Sequence, residues 1–178
     1  MSAIAVSSLV AGLAGIVLSG VCGVSFLGAQ SPKEAAISPA PVPAQIMGGK
    51  SVFVSNAGEE NFNSAFGPVF SGGSDRAYNQ FYAALEQWGR YKLVSTPAEA
   101  DLVFEIGFAL GGNPPPELGR LRVAVRDPRT NVLLWGVSEY VQSAILKGNR
   151  DKQFDQSMGA IVEDIKALVT PGGAAAKP

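Results

Sequence analysis

Asp101-Leu102-Val103-Phe104-Glu105-Ile106-Gly107-Phe108-Ala109-Leu110 decides the fold of this chain. Leu102, Phe104, Ile106, Phe108 and Leu110 take every second position, and small, charged or β-branched residues fall between them. Successive side chains of a strand point to opposite faces, so the pattern predicts a strand with one strongly apolar face and one that is much less so. Such a strand needs a cover on one side only.

Toward the C-terminus, Gly111-Gly112-Asn113-Pro114-Pro115-Pro116 ends the strand. Arg120 to Arg126 alternates again, with Leu121, Val123 and Val125 inward and Arg120, Arg122 and Arg126 outward. Asp127-Pro128-Arg129-Thr130-Asn131 is a turn, and Val132 to Val141 returns as the hairpin partner. The spacing then changes. Phe154, Met158, Ile161, Ile165 and Leu168 form one stripe of a helix predicted over 151–169, which Pro171 closes.

Toward the N-terminus, Thr96-Pro97-Ala98-Glu99 supports a single helical turn, and Tyr91 to Val94 is a short strand. A helix is expected from Ser74, as its cap, to Gly89, with Tyr78, Phe81, Tyr82, Leu85 and Trp88 as its buried stripe. Ser51 to Ser55 is the first strand, and 56–73 reads as a long glycine-containing loop. The order is β-α-β-β-β-β-α. Two amphipathic helices must bury their stripes against the apolar side of the sheet. The expected fold is therefore α+β, a two-layer sandwich with two helices on one face of a mostly antiparallel sheet.

The domain, over 50–170, is flanked by segments of different character. Residues 1–32 contain no charged side chain, and 3–27 is an apolar run rich in Ala, Val, Leu, Gly and Ser. We read 1–29 as a signal peptide cleaved after Ala29, with an uncleaved membrane anchor over 3–27 as the alternative. Cys22 is read as an incidental leader cysteine, since Ser19-Gly20-Val21 makes a poor lipobox. Four prolines between Gln30 and Gly49 mark 30–49 as a disordered tether, and 171–178 as a frayed tail. The expected location is the periplasm or outside the cell, with membrane contact only through an uncleaved leader.

Composition removes whole classes of chemistry. The 178 residues include no histidine, and the one cysteine lies in the leader. Thiol catalysis, the Ser–His–Asp relay and zinc sites built from His or Cys are excluded from the domain. A net charge of −1 gives no basic excess to neutralise phosphates, so nucleic acid is not expected as a partner. No cofactor or metal is expected, and no catalytic residue is assigned.

Gly72-Gly73-Ser74-Asp75 lacks the Lys of a phosphate-binding loop, and Asp75 would repel an anion. Glu59, Glu60 and Asp75 could supply a carboxylate hydrolase, provided a walled cleft holds two of them together. An apolar ligand carried between helices and sheet is a further alternative. The outward face of the hairpin remains: Arg120, Arg122 and Arg126, with Glu105 and Glu139 expected across from them. Cross-strand ion pairing is the plain reading, and a docking surface for an acidic envelope protein or glycan the sharper one.

Three stretches carry a resemblance: 82–94 (a helix ending in Trp88-Gly89, then a short strand), Ala98-Glu99-Ala100-Asp101-Leu102-Val103, and 127–136, an Asp-Pro hairpin ending in Trp135-Gly136. Together they resemble the amino-terminal domain of TolB and related envelope lipoprotein domains, over roughly 50–169. The resemblance implies an α+β fold and the periplasmic compartment. TolB's propeller has no counterpart here, so no functional residue carries over. The expectation is an exported envelope protein, a non-catalytic binding or assembly module.

Overall fold

The structure, a computed structural model, describes residues 40–60, 63–64, 67–111 and 117–170, the side chains of 59–68 excepted. The leader, the tether up to residue 39 and the tail from 171 lie outside the described residues. In chain order the elements are α1 (Ala44–Gly48), β1 (Ser51–Glu60), β2 (Asn63–Ser64), β3 (Gly67–Pro68), α2 (Arg76–Trp88) and β4 (Lys92–Leu93). A 3-10 turn (Pro97–Glu99) then leads to β5 (Leu102–Leu110), β6 (Glu117–Arg126), β7 (Leu133–Gln142) and α3 (Lys147–Leu168).

Five strands form one sheet in the order β4-β1-β5-β6-β7, and β2 pairs with β3 in a separate small hairpin. The sheet is mixed: β1 runs parallel to β4 and β5, while β5, β6 and β7 are antiparallel. Antiparallel pairing still holds the greater length of ladder. The parallel part follows from the chain path, because α2 carries the chain from β1 to β4 and parallel neighbours need such a crossover.

Alternation in β5 is what the sequence predicts. Leu102, Phe104, Ile106 and Phe108 are buried and the residues between them half-exposed. Leu121, Val123 and Val125 of β6 continue that buried face. Both helices cover it. Phe81 of α2 meets Phe104 at 6.3 Å between ring centroids, and Phe154 of α3 meets Phe108 at 5.7 Å. Phe70, on the segment leading into α2, closes a three-ring cluster with Phe108 and Phe154 at 5.3 and 4.9 Å. The space between helices and sheet is thus filled by interlocked rings, an arrangement of a packed core rather than a ligand chamber.

Several boundaries differ from expectation, and four of them bear on the packing. β1 runs to Glu60 rather than Ser55, because β5 offers it a partner along its length; a bulge at Ala57 and left-handed Gly58 (φ 81°) absorb one residue. Part of the predicted loop is therefore sheet. Residues 44–48, assigned to the tether, form a helical turn that buries Ile46, so the packed domain starts before Lys50. Asp75, not Ser74, stands at the N-cap of α2, and its carboxylate accepts from the Asn56 amide at 2.9 Å instead of from a helix N–H. α3 begins one turn earlier than predicted, at Lys147. Its stripe from Phe154 to Leu168 is buried as expected.

Candidate interaction surface

With both helices on one face, no described element packs on the other. That bare face carries Phe53 and Ser55 of β1, Glu105, Gly107 and Ala109 of β5, and Arg120, Arg122, Ala124 and Arg126 of β6, continued by Ser138 and Tyr140 of β7. Directly paired residues share a face, so the register places these side chains without further assumption.

The three arginines have different surroundings. Arg126 donates from Nε to Glu105 Oε2 at 2.7 Å and from Nη1 to Asn131 O at 3.3 Å, tying the hairpin turn to β5. Both partners of that ion pair are about one-third exposed, so it contributes only tenths of a kcal/mol. Arg120 lies opposite Tyr140, its guanidinium 4.1 Å from the ring centroid. Such a contact orients the cation while leaving its charge to act outward. Arg122 is exposed, between Gly107 on one neighbour and Ser138 on the other. Among the described residues neither Arg120 nor Arg122 has a carboxylate in ion-pair reach.

Glu139 is not with them. It pairs with Leu121, a core residue, so it sits on the helix-covered side of the sheet. The expected partnership across the hairpin therefore holds for Glu105 and not for Glu139. Counting from a misjudged strand start does not cause this: within β7, Tyr140 and not Glu139 shares the parity of the arginines.

Small residues floor the bare face. Gly107, Ala109 and Ala124, with the bulged Ala57 and Gly58, leave a cleft of about 250 Å³ rimmed by Glu105, Arg122 and Arg126. A side chain at 107 would press on Ala57 Cβ at 3.0 Å and on Gly58 O at 3.3 Å, so the bulge and Gly107 require each other. A second, more open groove of about 610 Å³ runs between α2 and the short β4, along Phe53, Tyr78, Tyr82, Lys92, Ser95 and Glu99.

The carboxylates considered for hydrolysis are not gathered. The side chains of Glu59 and Glu60 lie outside the described residues, and Asp75 is engaged by Asn56 on the exposed side. Among the described residues no group of three His, Cys, Asp or Glu is placed to hold a metal ion. No helix there is long and apolar enough to cross a membrane.

One ionic cluster escaped the sequence reading. Arg76, in the first turn of α2, is 8% exposed and lies over the Phe154 ring at 4.6 Å. Its guanidinium bonds Asp151, the Ser71 carbonyl at 3.0 Å and Asp155 Oδ1 at 2.7 Å. Asp151 also accepts from the Ser71 N–H and hydroxyl, both at 2.8 Å. Burial opposes the charge on Asp151, but these bonds and Arg76 outweigh it and hold its carboxyl down at about 2. With its donors spent on the α2–α3 contact, Arg76 is a clamp between the helix starts and not a ligand site. No short-range signal in the sequence links Asp155 to a residue 79 positions away.

No family model and no curated protein matches the chain. Among solved structures it is similar to the LpoB C-terminal domain from Salmonella enterica, with 15% identity and a TM-score of 0.38, covering 53% of this chain and 84% of that one. It is also similar to a protein from Xanthomonas campestris, with 15% identity and a TM-score of 0.44, covering 79% and 96%. A PelC dodecamer subunit from Paraburkholderia phytofirmans gives 10% identity and a TM-score of 0.43, covering 74% and 94%. Likeness at this level bears on neither ligand nor partner, and what the domain does is argued from its own surface.

Proposed function

We propose that this is a non-catalytic binding module of the bacterial envelope, periplasmic or secreted, that docks an acidic protein on the bare face of its sheet. The observation that carries the reading is the pair Arg120 and Arg122, turned outward on a face with no described cover and, among the described residues, in no ion pair. Charge presented this way raises the rate and selectivity of encounter with an acidic partner. Tyr140 adds a flat apolar contact next to Arg120, the residue types that dominate protein interfaces. The apolar leader and the resemblance to TolB amino-terminal domains support the compartment.

The test is comparative crosslinking in envelope fractions from cells producing the protein or Arg120→Glu/Arg122→Glu. Both side chains are on the solvent side, so the variant should fold and melt as the parent does. The reading requires specific adducts with the parent that fall at least tenfold in the variant, as two reversed contacts predict. An adduct pattern unchanged by charge reversal contradicts it. Adducts with glycan alone would move the partner to the polysaccharide class.

A further inference from the structure

Among the described residues the sheet ends at β7, with no strand beside its outer edge. Ser157 Oγ, from α3, reaches the Tyr140 carbonyl at 2.8 Å, so the Tyr140 peptide points away from β6. Alternation turns the N–H and C=O groups of Gly136 and Ser138 the same way, into an unpaired edge. Proteins usually blunt such an edge with proline, lysine or a charge on the exposed side. From Leu133 to Gln142 there is no proline and no lysine, and the single charge, Glu139, lies on the helix side.

Both ends of this edge are apolar and exposed. Val132 and Leu133 are 55% and 54% exposed at its start, and Ile145 and Leu146 are 96% and 66% exposed just past its end. Two apolar patches at opposite ends of one open strand cover each other when the strand meets an antiparallel copy of itself. We propose that β7 pairs with β7 of a second copy around a two-fold axis near Val137, making a continuous ten-stranded sheet. Gly136 and Ser138 of each copy exchange backbone hydrogen bonds with their counterparts. The Val132–Leu133 end of each strand comes alongside the 142–146 end of the other, which covers both patches twice. Such an axis is perpendicular to the sheet, so the bare faces of the two copies lie on the same side and their arginines form one surface. The inference stands apart from the proposed function, since the edge pairs whether or not the face binds anything.

The test uses the full chain with Cys22→Ser and one new cysteine. Val137→Cys, on the axis, should give a disulfide-linked dimer on oxidation, whereas Ser95→Cys, at the other edge of the sheet, should not. Sedimentation of the chain without added cysteines should show a dimer, and Leu133→Lys/Ile145→Lys should raise its dissociation constant about 100-fold by exposing four apolar contacts to charge. Circular dichroism of that variant should match the parent. A monomer at every concentration reached, equal crosslinking at 95 and 137, or a Val137→Cys adduct with a different protein would each overturn the proposal.

Discussion

At the level of single residues, the structure stakes stability on a few side chains whose roles differ. The Asp151 carboxyl has a folded-state pKa of about 2, against about 3.9 in an unfolded chain. A depressed value means that the charged form stabilises the fold. That contribution is complete above about pH 4 and is lost as pH falls toward 2. Asp101, held low by the N–H groups of Lys50 and Ser51, and Asp127, held low by the Arg129 N–H, add slope of the same sign. Urea unfolding between pH 5 and 2 should show stability falling with acid, and Asp151→Asn should flatten that fall. Arg76→Ala strands two carboxylates and uncovers Phe154, so it should cost about 3 kcal/mol in the same assay at neutral pH. The reverse is expected at Tyr91, whose buried hydroxyl has no partner in the structure. Tyr91→Phe should leave stability unchanged or raise it by about 1 kcal/mol. None of these three roles is written in local sequence. Arg76 and Tyr91 look like ordinary surface or strand residues until partners 75 positions away, or none, are known.

At the level of elements, periodicity was informative where the element made its own pattern. The stripes of α2 and α3 and the alternation of β5 and β6 were legible because burial on one face forces a period of 3.6 or 2. β1 beyond Ser55 was not, since Asn56, Gly58, Glu59 and Glu60 have poor strand propensity and are held by pairing with β5. Residues 44–48 were hidden for a similar reason: only Ile46 is buried there, and prolines dominate the approach. Gly119 shows how tightly β5 and β6 are fitted. A Cβ there would stand 2.5 Å from Ala109 O and 2.6 Å from the Phe108 ring. Gly119→Ala should therefore destabilise by about 2 kcal/mol, and Phe108→Ala, which opens the three-ring cluster, by about 4 kcal/mol, both read by chemical denaturation.

At the level of the whole molecule, one face of the sheet holds the helices and the other is left for something else. The sequence announced the outward arginines and the presence of Glu105 on their face, because strand alternation alone sorts them. It misplaced Glu139, whose position depends on the register of β7 against β6. It also gave no sign that Arg120 would sit on Tyr140, a contact set by that same register. The account therefore rests on which side of the sheet meets a partner. Photocrosslinking addresses that question directly: a photoreactive side chain replaces either Ala124, on the bare face, or Lys152, exposed on α3. The account predicts partner adducts from position 124 and none from 152; adducts from 152 with none from 124 would contradict it.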